Sequence, residues 1–202
     1  MVSKELDLTT EERIKKAADK LFSEKGFEGT KTREIAQEAG INSALLNYYF
    51  RSKEKLFQSI MIEKIEKFFG FIFPLINNPD IELYEKIELL INNYMVLLIE
   101  NPNLPTFIIN EIDHKSDLLS VFSKMFPEME KIAMYQQIKA KNPKANPIQI
   151  FLNMVSLMIF PFIMMRLLKT ITPLSEKEMA ILLEERRKMI PVWILEMIEN
   201  AR

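Results

Sequence analysis

Cysteine is absent from the 202 residues, so no disulfide framework can exist and cytoplasmic location is the simplest reading. Histidine occurs once, as His114 beside Asp113, and without cysteine the chain lacks the ligands for a transition-metal site. Glycine occurs only four times, while Lys, Glu, Leu, Ile and Met abound, a balance that favours helices over strands. There is no glycine-rich phosphate loop and no nucleophile elbow, so nothing argues for catalysis, and no cofactor is expected. The opening MVSKELDLTTEER has no apolar core that could serve as a signal peptide. Net charge is −1, so bulk electrostatics do not announce a nucleic-acid partner, and any such binding must come from a local patch.

Long apolar runs are equally scarce, with one exception. Ala145 to Met165 carries no charge and has the length of a membrane span. Pro147 and Pro161 interrupt it, and Gln149, Asn153 and Ser156 recur at i, i+4, i+7. A polar stripe on an apolar helix fits a helix buried on most sides within a helical protein, so no membrane partner is expected.

Everything else reads as helix. Thr9-Thr10-Glu11-Glu12 has the form of a capping box, and Ile14, Ala17, Ala18, Leu21 and Phe22 follow at helical spacing up to Gly26. Thr30 is placed to cap a second helix over 31–39, and Gly40 ends it. Asn42 caps a third running to about Phe50, and Ser52 caps a fourth that reaches to near Pro74. Further helices are expected over 81–100, 105–114, 118–141 (broken), 148–169 and 176–200, punctuated by Asn77-Asn78-Pro79, Asn101-Pro102-Asn103 and Asn142-Pro143.

The second and third helices carry the functional signal. Ile35, Ala36, Ala39, Gly40, Ile41, Leu46 and Tyr49 form the set expected of a helix-turn-helix, with a small residue at the close crossing and glycine at the sharp turn. Such a unit sets the N-terminal residues of its second helix against base edges in the major groove. Here those are Asn42, Ser43, Ala44 and Leu45: Asn pairs with adenine, Ser with several edges, and Ala or Leu touches a thymine methyl. Thr30, Lys31, Thr32, Arg33, Tyr48, Tyr49, Arg51, Ser52 and Lys53 flank them as phosphate binders, since hydroxyls and helix N-termini donate to phosphate as cations do.

On those residues the stretch GFEGTKTREIAQEAGINSALLNYYFRSKEKLF, Gly26 to Phe57, resembles the DNA-binding segment of the TetR family of bacterial transcriptional regulators. Gly26-Phe27, Thr30, Ile35-Ala36, Ala39-Gly40-Ile41, Tyr49-Phe50, Ser52-Lys53-Glu54 and Leu56 carry the likeness, which with the first helix covers about a quarter of the chain. It implies that Lys53, Tyr48 and Thr32 hold phosphates. The chain departs from the family pattern at Asn47, where an aromatic is frequent, and at Ala44, where glycine is; Asn47 still donates to phosphate or reaches a base.

The resemblance further implies an all-α fold: a three-helix DNA-binding domain over residues 1–57, with the fourth helix as link, then a larger helical ligand-sensing and dimerisation domain over 58–202. The implied protein is a homodimer that binds pseudo-palindromic double-stranded operator DNA, a repressor released by a small, largely apolar ligand. A DNA-bound structural or protein-interaction factor without an inducer is the alternative. The last two helices would form the dimer contact, with Met189, Val192, Trp193, Glu196 and Met197 at helical spacing. Most of the 13 Met and 14 Phe lie beyond residue 57, and adaptable Met-rich walls suit varied ligands. Phe68, Phe71, Phe73, Met95, Phe107, Met125, Phe126, Met134, Met158 and Phe162 are candidate pocket residues, with Tyr84, Tyr94 or Glu111 orienting the ligand.

Overall fold

Thr9 opens the first helix by reciprocal capping: Glu12 N–H donates to Thr9 Oγ1 at 3.3 Å, and Thr9 N–H donates to Glu12 Oε2 at 2.8 Å. The computed structural model describes residues 9–113, 128–172 and 174–202, apart from the side chains at 110–113, 166 and 169. His114, Met125 and Phe126 therefore lie outside the described residues, as does the side chain of Glu111. Among the described residues the structure is helical throughout, without a strand. In order the helices are α1 (Thr10–Gly29), α2 (Thr32–Glu38), α3 (Ser43–Phe50), α4 (Lys53–Asn77), α5 (Leu83–Glu100) and α6 (Leu104–Asp113). A 3₁₀ turn (Met129–Lys131), α7 (Ala133–Lys141), α8 (Pro147–Ile163), α9 (Met165–Ile171) and α10 (Glu176–Glu199) follow. None of them is long and apolar enough to cross a membrane.

Two compact units result, the first ending at Ile65 and the second beginning at Glu66. The division falls within α4, beyond the boundary expected at residue 57. Leu56, Ile60, Met61 and Ile65 are buried at helical spacing, which commits this stretch of α4 to the first core.

In that first core Ile14, Ala18, Leu21 and Phe22 of α1 are buried together with Ile35 and Ala36 of α2 and with Leu46 and Phe50 of α3. Phe57 stacks edge-on to Phe22 at 5.2 Å and tilted to Phe27 at 4.9 Å, closing one end. Gly26 breaks α1 internally with φ +73°, ψ 170°, so the expected stop signal acts as a kink before the helix ends at Gly29. The α2–α3 turn is a Schellman closure. Gly40 N–H donates to Gln37 O at 3.1 Å and Ile41 N–H to Ala36 O at 2.9 Å, with Gly40 at φ +67°.

In the second unit α10 packs on α8 and α5, and α5 packs on α8. The inward faces are regular: Ile87, Ile91, Met95 and Leu98 from α5, Ile150, Met154, Met158 and Phe162 from α8, Leu183, Ile190, Ile194 and Ile198 from α10. Lys86 is buried among them; its ammonium donates to Gln137 Oε1 at 2.7 Å, and burial pushes it below the ordinary lysine range. Asn142 Nδ2 closes the end of α10 by donating to Ile198 O at 2.9 Å and Ala201 O at 3.1 Å.

The single helix expected over 148–169 is instead two, α8 and α9, meeting at Met164 (φ −83°, ψ 0°). Pro161 is the cause within reach: without an N–H it cannot donate to Leu157 O, and the last turn of α8 is weakened. Arg186 of α10 fills the vacancy, its Nη2 donating to Leu157 O at 2.7 Å.

The Gly40 turn yields a direct test. A Cβ built there meets nothing within 4 Å, so only the backbone conformation penalises a side chain. Gly40→Ala is expected to lower unfolding free energy by about 1–2 kcal/mol, and Gly40→Asn by less, in chemical denaturation. Equal stability of the alanine variant would show that the left-handed turn is dispensable.

Candidate nucleic-acid interface

α3 divides cleanly between two environments. Leu46 and Phe50 point into the core, while Ser43, Ala44, Asn47 and Tyr48 are exposed and share the opposite side at i, i+1, i+4, i+5. Tyr48 is 79% exposed, an unusual position for a large ring on a monomeric surface. Tyr49 packs edge-on against it at 5.6 Å. Leu45 is half-buried, Thr32 half-buried and Arg33 exposed at the start of α2.

Three expected contacts acquire other duties. Thr30 is 1% exposed, and its Oγ1 donates inward to Gly26 O at 2.8 Å and Leu21 O at 3.1 Å. It does not cap α2, whose N-cap is Lys31, and its hydroxyl is engaged inside the fold. The kink at Gly26 frees carbonyls that need a donor, and the Thr30 hydroxyl supplies it. Asn42 is the N-cap of α3 as expected, with Oδ1 accepting from Leu45 N–H at 2.8 Å. That oxygen is also the one a bidentate bond to adenine requires, so capping and reading compete for Asn42. Lys53 donates to Phe27 O at 2.9 Å and Thr30 O at 3.2 Å and lies 4.2 Å over the Phe27 ring. One of its three N–H groups is left to face a phosphate.

The setting is electrostatically restrained. Through residue 65 the sequence holds nine Lys and three Arg against nine Glu and two Asp, a net charge of +1. Two lysines of α1 are paired with carboxylates of α2, Lys20 with Glu38 at 2.6 Å and Lys25 with Glu34 at 2.8 Å. The Lys25 ammonium and the Lys31 backbone N–H hold the Glu34 carboxyl below its usual range. Lys31, Arg33 and Arg51 form no ion pair among the described residues. Arg51, the C-cap of α3, has φ +59°, ψ −37°, an uncommon conformation for a residue with a side chain. Nothing in its sequence context signals that backbone; its proximity to Ser52, whose Oγ accepts from Lys55 N–H at 3.2 Å to start α4, imposes a tight corner.

A half-exposed helix with a neutral, small-headed outward stripe, flanked by hydroxyls and a few cations, fits the major groove, where base edges are read and phosphates fix the register. Residues 14–60 match the family model described as bacterial regulatory proteins, tetR family. Over 61 residues the chain is 39% identical to the "Probable HTH-type transcriptional regulator YttP" of Bacillus subtilis, 30% of each chain. Over 52 residues it is 46% identical to the "HTH-type transcriptional repressor NicS" of Pseudomonas putida, 26% of this chain and 24% of that protein. The matches thus span under a third of these relatives' length. A transcriptional regulator of the TetR/AcrR family from Thermobifida fusca shares the fold across most of both chains: TM-score 0.63, 17% identity, 90% of this chain and 96% of that one.

These placements separate readers from supports. Ser43→Ala is expected to change which DNA sequences are selected from a random pool, at about 1–3 kcal/mol per lost base contact. Asn42→Ala should leave the selected sequence unchanged and instead destabilise the fold by about 0.5–2 kcal/mol, the worth of an N-cap. Lys53→Ala is expected both to lower stability and to reduce the slope of log K against log salt by about 0.9, the contribution of one phosphate. Identical selection by Ser43→Ala and the parent chain would remove Ser43 from the readout.

Proposed function

We propose, from the membership of this chain in the TetR family of bacterial regulatory proteins, that it is a homodimeric repressor that binds operator DNA through α2 and α3 and is released by a small apolar ligand. The observation that carries the DNA-binding part is the outward stripe Ser43, Ala44, Asn47 and Tyr48 on a helix locked from behind by Leu46 and Phe50. Tyr48, Tyr49, Thr32, Arg33 and one N–H of Lys53 supply the phosphate contacts.

The homodimer rests on apolar surface in the second unit. On α8, Ile148, Leu152 and Phe160 are exposed; on α10, Met189 is 43% and Met197 38% exposed, with Trp193 half-buried between them. Exposed apolar side chains on both of these helices support an association surface. A two-fold protein reads two-fold DNA, so the operator is an inverted repeat with half-sites about one helical turn, or a multiple of it, apart. Selection from random DNA tests this: an enriched single half-site would remove the dimeric mode of reading.

The ligand reading rests on the interior of the second unit. Met95, Phe107, Met134, Met158 and Phe162 are buried, and Phe68 packs against Tyr94 at 4.9 Å. Burial pushes the Tyr94 hydroxyl well above the ordinary tyrosine range, so it stays neutral and serves as the polar handle for an otherwise apolar guest. Two candidates leave the set: Phe71 is 53% exposed, one position before inward-facing Ile72 on α4, and Tyr84 is exposed at the start of α5.

Release requires that the ligand favour a conformation that binds DNA poorly, with a coupling of about 1–3 kcal/mol. By linkage, operator DNA weakens ligand binding by the same factor. Lipids, aromatics and cationic drugs screened by thermal shift, then titrated with and without operator, check it. The expected inducer binds more weakly to the DNA complex by that factor; a compound that binds equally in both is no inducer.

A further inference from the structure

Several asparagines in or at the ends of these helices turn their amides onto nearby backbone. Asn77, Asn93 and Asn101 each donate from Nδ2 to the carbonyl four residues back, at 3.0, 2.7 and 2.9 Å, and Asn42 caps α3. Asn47 does neither. Its amide makes no bond to Ser43 O four residues back and has no partner among the described residues, and the residue is exposed. Only its backbone carbonyl is engaged, accepting from Arg51 N–H at 2.9 Å.

Its place on α3 says where that amide goes. At about 100° per residue, Asn47 lies about 40° round the helix from Ser43 and about 60° from Ala44, one turn beyond them. Helical side chains lean toward the N-terminus, so the amide is carried over the end of α3 that meets base edges. Serine and alanine are too short to screen it. Leu46 and Phe50 are buried behind it and fix the rotation of the helix.

The remaining composition of α3 narrows which base it meets. Its eight residues, SALLNYYF, include no Arg, Lys, Asp or Glu. Guanine is read by a bidentate Arg or Lys and cytosine by a carboxylate, so α3 holds the cognate reader of neither. An asparagine amide fits adenine, with Nδ2 donating to N7 while Oδ1 accepts from the N6 amino group. On the outward stripe only Asn47 offers a donor and an acceptor on separate atoms: Ser43 and Tyr48 bear one hydroxyl each, and Ala44 has none. The methyl group of Ala44 suits the methyl of thymine.

We propose that Asn47 reads an adenine by this two-point bond, and that the base pairs facing α3 are A·T, with Ala44 against a thymine methyl. The assignment rests on the DNA-binding reading above and adds the base that is read. An aromatic ring at this position, frequent in the family pattern, makes no such two-point bond, so the adenine code belongs to this chain.

Selection from random DNA by the full chain, followed by titration, tests it. The parent is expected to enrich an adenine at one fixed position of the site, and Asn47→Ala to lose the preference at that position alone. The variant folds, because alanine is the better helix former and the amide it removes has no partner inside the chain. Replacing that adenine by 7-deazaadenine, which lacks the N7 acceptor, is expected to weaken the parent by about tenfold or more and to leave Asn47→Ala unaffected. Selection of the same base by the variant, no loss by the parent on the 7-deaza duplex, or an equal loss by both proteins overturns the assignment while DNA binding stands. A variant weakened equally on every sequence makes Asn47 a phosphate contact and overturns it as well. Enrichment of no sequence by the parent overturns the DNA-binding reading, and this one with it.

Discussion

Ile41 donates its N–H to the Ala36 carbonyl because Gly40, between them, adopts φ +67°, and the presentation of α3 depends on that closed turn. A helix shows a different face for every 100° of rotation, so a turn one residue longer or shorter would carry Ser43 and Tyr48 toward the core. Ile35 and Ala36 on one side and Leu46 on the other are all buried, which removes the remaining freedom of rotation. What faces outward is thus determined by what is held inside: Ser43, Ala44, Asn47 and Tyr48 share no property beyond lying opposite Leu46 and Phe50.

Local rules with one outcome are legible in the amino-acid sequence itself. The reciprocal cap at Thr9 and Glu12, the turn at Gly40, the Asn42 cap and the preference for helix over strand all follow from short-range chemistry, and the fold has them. Residues with two options are not legible in this way. The Thr30 hydroxyl serves equally as a helix cap, a phosphate donor or a plug for stray carbonyls, and only the three-dimensional position of Gly26 O decides. Asn42 faces the same conflict between capping and reading, and the backbone claims its oxygen. By composition Phe71 suits a pocket wall, yet its angular position on α4 turns it outward. The break at Met164 is hidden because a proline in an apolar run is compatible with one kinked helix or with two helices.

The second unit answers to a different logic, in which no motif is visible and long-range polar contacts do the fixing. Lys86 reaches Gln137, whose amide in turn donates to Ile81 O at 2.9 Å, so α7 is tied to the start of α5 by a chain of two hydrogen bonds. Asn142 and Arg186 each occupy backbone carbonyls of a distant helix. The partners lie far apart in sequence, with separations of 51, 56, 56 and 29 residues. Helical periodicity carries no information about such pairs, whereas the surrounding core, built at regular intervals along α5, α8 and α10, is readable from periodicity alone.

The pairing of Lys20 with Glu38 and Lys25 with Glu34 bears on how the protein finds its target. Loose attachment to arbitrary DNA draws almost wholly on cations that displace counterions, and here two of them are occupied and the unit as a whole carries little excess charge. Weak non-specific attachment of this kind would shorten the stay on wrong sites. Residence at the correct site must then come from groove contacts and from joining two reading heads. For the proposed regulator, a modest electrostatic grip would leave discrimination between right and wrong sequence to the groove contacts, and such a binder is easily released.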